Sequence, residues 1–435
     1  MSRETIRRLF EEELKTALSK LPPKLQENFF EYAEEAARKT VEMIVRDRVK
    51  ISNIGRYLSF RDIPDILDRD LVVGVVDGSS SPTFNDRLGY RIGVYTACYM
   101  VFEGDKIISD RDDESMEAGY MMVSQTGDIL QTHKILSLLM TSKERELALR
   151  CMKNYDVDIM LIDGAFYGFR TRCSEVKKLN LAEMGIEGYR SAWDLIERVL
   201  TFTRHLVRSG KAVAVIKRLR TSAIDGWILS KTWSISEITK RNDRSILRML
   251  LPYGKYFNYR EFIGDRWSYL HYSSLISWYN DIVEKKIVKE DKSMDENTRE
   301  ALEYVDKKLK TQIHTDLCQH NTGSHERDTC AANLLKEITS RPRIHVRLSP
   351  YTAPVCLEIG ENVDLEMVLA YVLKSANLAT GLPFPIDLVD EMISIDRELA
   401  KEFAEEVEAR LLLNREVSSD EVESRLEPLN PQKEI

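Results

Sequence analysis

Two hydrophobic periods alternate along this chain, and the switches between them mark the predicted elements. Leu71–Ser81 reads LVVGVVDGSSS, a β-branched run closed at once by turn-forming residues, which predicts a short buried strand. Val157–Phe166, VDIMLIDGAF, repeats the arrangement. Arg91–Glu103 (RIGVYTACYMVFE) and a third run near Lys106–Asp110 follow the first strand, with a hairpin signal at Gly104–Asp105 between them. Three strands joined by short turns predict an antiparallel meander. Helical spacing governs residues 2–50, interrupted at Pro22–Pro23, and then Gly127–Tyr155, where Ile135, Leu138, Leu139 and Leu147 supply an apolar face. A further helix over Ala182–Gly210 ends on a glycine suited to a helix C-terminus. The strand Lys211–Leu219 comes next, then strands at Arg343–Pro350 and Ala353–Ile359, and helices at Val363–Ala379 and Ile386–Leu413.

This order predicts an α/β fold with a mixed sheet flanked by helices. An N-terminal helical arm (1–50) precedes a core in two parts, 70–220 and 341–413. Between them lies a largely helical and polar insertion, 221–340, aromatic at first and then charged. Residues 414–435 are polar and are expected to fray. No internal repeat interrupts the plan.

Composition narrows the function classes. With 435 residues, 43% apolar and a net charge of −8, the chain has enough apolar material for a core, and it is too acidic for a generic nucleic-acid coat protein. A local basic groove remains compatible with DNA binding. The six cysteines are scattered and form no CxxC pair, which predicts a reduced, intracellular and cytoplasmic chain. The charged N-terminus lacks a signal-peptide core, no apolar run approaches a membrane span, and no GxxxxGK[ST] loop is present. Cys318, His320, His325 and Cys330 include metal-binding residue types, but their spacing matches no common zinc site, so a polar insertion is the preferred reading.

The chemistry concentrates at strand ends. Asp77 and Asp163 each close a buried strand and each precede glycine. An isolated Asp-Gly is an ordinary turn. Two together predict neighbouring carboxylates at one sheet edge, which raise each other's pKa unless a cation neutralises them. Such pairs suit hard ions such as Mg²⁺ or Mn²⁺. In the helix before Asp163, Glu146 is a candidate third acid and Glu144 its competitor. The helix descends roughly 12 Å from Glu146, and the strand climbs back about 20 Å to Asp163. On the residues alone, a solvent-facing glutamate is the preferred reading. Lys217, Arg218 and Arg220 end another strand, where they form either a phosphate grip or a solvated rim. Asp387 and Asp390 lie at the start of the last helix, a position that its dipole favours for any acid.

Taken in order, these motifs resemble the NurA nucleases, a family found mainly in archaea and some bacteria. The resemblance runs from about residue 70 to 395. It is carried by VVDGSS at Asp77, ERELA at Glu146, LIDGAF at Asp163, AVIKRLRTS at Lys217, NDRSILRMLLPYGKY from Asn242, HVRLSPYTAPVCLEI from His345, and LPFPIDLVDEM. It implies a ribonuclease H-like core, a homodimer, and Mn²⁺- or Mg²⁺-dependent DNA cleavage with two ions expected. It also implies a hexameric HerA-type ATPase translocase as partner in DNA end resection. Asp77, Glu146 and Asp163 would be ligands. Asp390 stands where many family members carry a ligand histidine, which leaves a translocase adaptor without cleavage as the alternative. An actin-like or sugar-kinase-like ATPase would need a second glycine loop, and none is evident after residue 220.

Overall fold

The computed structural model describes residues 21–64, 69–109, 113–125, 127–319, 324–414 and 416–429. The chain divides into two compact units, 1–57 and 58–435. The first contains one long helix, α1 (Pro23–Gly55), which starts on a proline at a position where a missing N–H costs nothing. The helix expected from residue 2 lies, up to residue 20, outside the described residues.

In the second unit the strands are β1 (Val72–Ser80), β2 (Tyr90–Glu103), β3 (Met116–Ser124), β4 (Ile159–Asp163), β5 (Ala212–Ile216), β6 (Lys255–Asn258), β7 (Arg343–Val346) and β8 (Val355–Ile359). They form one mixed sheet in the order β6-β7-β8-β5-β4-β1-β2-β3, with two-residue pairings at Arg61–Asp62, Asn85–Asp86 and Lys106–Ile107. β1 runs antiparallel to β2, and β2 to β3, while β4 and β5 run parallel to β1. That meander followed by two parallel strands is the ribonuclease H-like arrangement expected from the sequence.

Strand periodicity sorts the core. Val73 and Val75 on β1, Ile159 and Leu161 on β4, and Val213 and Val215 on β5 share one buried cluster. That cluster is roofed by α9 (Leu365–Lys374) and α10 (Phe384–Ile393) through Val368, Leu369, Ile386 and Val389. The opposite face of β1 meets α2 (Ile129–Asn154), capped by the Asp128 side chain. There a Cβ on Gly74 would lie only 2.9 Å from the Cys151 sulfur, and one on Gly78 3.3 Å from Glu144. α3 (Ala192–Arg208) packs on α2 and has a capping box at Ser191.

The structure departs from expectation in five places. The long third strand of the meander is Met116–Ser124, while Lys106–Ile107 forms only two pairs. The helix expected over 182–210 begins at Ala192. Residues 221–340 are not a separate insertion, because β6 joins the sheet beside β7; the helices there include α4 (Ala223–Thr232), α5 (Asp243–Leu250), α6 (Tyr269–Ser277), α7 (Met294–Leu317) and α8 (Ser324–Thr339). The final helix is broken: α10 stops at Ile393 and α11 (Arg397–Leu412) restarts on an Asp396 cap, with the Ile395 amide donating to Ser79 Oγ. The expected frayed tail contains α12 (Ser419–Leu426), whose buried Val422 and Leu426 pack with Ile92 and Ala404.

The cysteine expectation is also corrected, since Cys318 and Cys330 are disulfide-bonded and staple the end of α7 to α8. That bond removes both thiols from any metal site. His320 and the His325 side chain lie outside the described residues.

Candidate metal centre

The alternation that buries Val73 and Val75 carries Asp77 to the same face at the end of β1. Asp163 and Lys217 follow Leu161 and Val215 in the same way. Val76 pairs with Ile162 and Asp163 with Val215, so the three strand ends stand side by side. Asp390, on the roofing helix α10, completes the group. Ligand oxygens of Asp77, Asp163 and Asp390 all lie within 4.8 Å of one another.

Gly164, at φ +84°, lets the chain turn directly after Asp163 while its amide donates to the Val215 carbonyl. The next residues lead to Phe166, whose amide donates to the buried Glu358. Asp387, one turn earlier on α10, accepts hydrogen bonds from Asn377 and Thr380, and it is Asp390 that lines the cleft.

Lys217 is the cation of the cluster. Its ammonium lies 2.9 Å from Asp163 and 3.2 Å from Asp390. Burial works against its charge, but Asp163, then Asp77 and Asp390, hold its pKa above the ordinary value. Asp77 is only 5% exposed. Burial first, and then Asp163 and Glu144, push its carboxyl up to about 9, against the opposing pull of Lys217. The cleft over these groups is about 530 Å³, and Arg218 is part of its wall. Arg220 is exposed and lies outside that wall.

The helix supplies Glu144 and not Glu146. The two residues are about 200° apart around α2. Glu144 is buried beside Gly78 and lines the cleft. Burial raises its pKa to about 7, although Arg145, 3.1 Å away, opposes the shift. Glu146 faces elsewhere and pairs with Lys143, Arg150 and Arg198. The sequence carried a signal for this: Thr141, Glu144, Ala148 and Cys151 lie at helical spacing on one buried stripe, and Glu146 lies off it. Arg145 and Arg172, which sequence reasoning did not single out, also line the cleft. Burial lowers the Arg172 pKa, while Glu144 opposes that shift.

Clustered hard oxygen donors, one of them driven toward protonation by burial and then by its acidic neighbours, fit a divalent cation. The residues present therefore suit Mg²⁺ or Mn²⁺, with Asp77, Asp163 and Asp390 as the holders and Glu144 beside them.

A sequence model of the NurA domain matches residues 71–395. No curated protein sequence matches. Among solved structures, the chain is similar to the NurA nuclease from Sulfolobus solfataricus, at 12% identity and a TM-score of 0.49, covering 90% of this chain and 99% of that one. It is also similar to a NurA bound to dAMP and manganese, at 14% identity and a TM-score of 0.42, covering 92% and 99%. Human ENDOV is a further similar structure, at 13% identity and a TM-score of 0.29, covering 83% and 99%. The domain match spans most of the chain and contains every acid of the cluster: this chain belongs to the NurA domain family.

Proposed function

We propose that this chain is a divalent-metal-dependent DNA nuclease, with Asp77, Asp163 and Asp390 as metal ligands and Glu144 in the role first expected of Glu146. One observation carries the reading: three carboxylates from separate strand and helix ends converge within 4.8 Å in an open cleft. Two bound ions, Mn²⁺ or Mg²⁺, would supply charge stabilisation and an activated water at the scissile phosphate. The chain's own residues hold the acids in place. β1, β4 and α10 fix their carboxylates, Gly78 admits Glu144 to close approach, and Arg145 anchors Glu144. Lys217 and Arg218 put positive charge where a DNA backbone would enter, a sequence-independent attraction that salt weakens.

The same reading includes a homodimer, a HerA-type hexameric translocase partner, a part in end resection and double-strand break repair, and a cytoplasmic location. The exposed Phe29, Phe30 and Tyr32 of α1 support a subunit contact. No described helix is long and apolar enough to cross a membrane.

A specific observation favours a second reading, the translocase adaptor without cleavage: Lys217 already forms ion pairs with Asp163 and Asp390. Cleavage of labelled single- and double-stranded DNA in Mn²⁺, Mg²⁺ or EDTA decides between them, using wild type, Asp77→Ala and Asp390→Ala. The nuclease reading expects metal-dependent cutting that both substitutions abolish. Wild-type chain that never cuts, with or without a translocase, supports the adaptor.

A further inference from the structure

A second cavity, of about 320 Å³, contains none of the acids described above. It lies between residues 259–271, the end of α8 and the start of β7. Its size is at the lower end of the roughly 300–1,000 Å³ range of small-molecule sites.

The wall is cationic. Arg260, Arg266, Lys336, Arg341 and Arg343 line it, against Asp265 as the one lining carboxylate. Several of these cations are committed: Arg260 to Asp265, Arg341 to Glu361 at 2.6 Å, and Arg266 to Glu303 at 3.8 Å. Lys336 has no carboxylate partner among the described residues. Arg343 is the built feature. Its guanidinium lies 4.3 Å from the Tyr269 ring centre, which fixes its plane. It is ion-paired with the buried Glu358, which accepts from its Nη2 at 3.5 Å and lies 3.4 Å from its Nε. One carboxylate does not use all five guanidinium donors, so the group keeps capacity for a further acceptor. Trp267 adds a flat indole to the same wall.

An anion site beside an aromatic plate matches a phosphate joined to a base. We infer that this cavity binds a nucleoside monophosphate unit, its phosphate toward Arg343 and Lys336 and its base against Trp267. Two sources share that chemistry, a free mononucleotide and the 5′-phosphorylated end of a DNA strand.

The test uses the full chain carrying Asp77→Asn, in EDTA, so that the carboxylate cluster does not contribute. Calorimetric titration with dGMP, deoxyguanosine and inorganic phosphate is run on this chain, and again with Trp267→Leu or Lys336→Glu added. Short oligonucleotides with and without a 5′-phosphate form the second arm, and thermal melting checks that each variant is folded. The inference expects saturable binding of dGMP or of the phosphorylated oligonucleotide, weakened about tenfold or more by each substitution. Whichever of the two ligands binds identifies the source. Lys336 is exposed on a helix, so Lys336→Glu remains informative if Trp267→Leu fails to fold. Absence of saturable binding up to millimolar ligand overturns the inference, as does affinity unchanged in Lys336→Glu.

Discussion

The ammonium of Lys217 lies 2.9 Å from the carboxylate of Asp163, inside the group of acids that would hold a divalent ion. A fixed positive charge there competes with any metal. Lys217→Met is therefore expected to tighten Mn²⁺ binding by about tenfold, equivalent to about 1.4 kcal/mol, while weakening DNA binding at low salt. Calorimetric Mn²⁺ titration checks the first effect, and weaker Mn²⁺ binding in the variant would remove Lys217 from competition for the site.

Glu144 and Glu146 separate by environment. Glu144→Gln is expected to reduce DNA cleavage by about a hundredfold or more. Glu146→Gln should stay within a few-fold of wild type and cost under about 1 kcal/mol, because it loses only partly exposed ion pairs. Single-turnover cleavage and thermal melts on both variants measure this. A larger loss in Glu146→Gln would reverse the assignment.

Asp243 is a buried hub. It accepts from the amides of Ala223 and Ile224 and from the Tyr259 hydroxyl, tying α4, α5 and the residue after β6 together. Asp243→Ala strands those donors and is expected to cost about 3 kcal/mol or more. Denaturant unfolding reads the loss directly, and a cost below about 1 kcal/mol would show that the hub is dispensable.

His345 gives the chain a pH signature. It is fully buried against Tyr259, and burial, then Arg343 and Arg244, push its pKa down to about 3. Its folded pKa lies below its unfolded value of about 6.5, so the unfolded chain binds the extra proton. The stability from neutral His345 is complete above about pH 6.5 and falls as pH drops toward 3, by up to roughly 1.4 kcal/mol per unit. Asp77, Glu144 and Asp243, whose pKa values are raised, pull the opposite way over part of this range. Their effects largely cancel when His345→Gln is compared with wild type. Urea unfolding of both chains from pH 7 to 4.5 should show a stability difference that changes with pH, and parallel profiles would refute it.

The strand ends were legible because Val73, Val75 and Asp77 follow one period of two, as do Ile159, Leu161 and Asp163, and a glycine follows each acid. The helix was legible as a helix, but a rise-per-residue argument fixes height and not rotation, so it did not separate Glu144 from Glu146. β3 was missed because Met116–Ser124 is half-exposed and contains Met, Glu and Ala, which carry little strand preference. β6 is four residues long and joins the sheet through distant pairing with β7, which no local pattern reports. The break between α10 and α11 depends on Ile395 meeting Ser79, a contact invisible along the chain. The Cys318–Cys330 bond likewise depends on the two helices folding back on each other.

The cluster joins residue 77 to residue 390, with α10 the last piece to arrive. During synthesis, domains fold as their residues emerge. A ribosome-bound chain can build β1, β2, β4 and β5 and still lack one of the three acids. Prematurely terminated chains share that deficit, so a nascent or broken copy would carry the sheet with only two of the three clustered carboxylates. Because Asp390 lies so late in the chain, the three-carboxylate cluster is complete only once nearly the whole protein has been made.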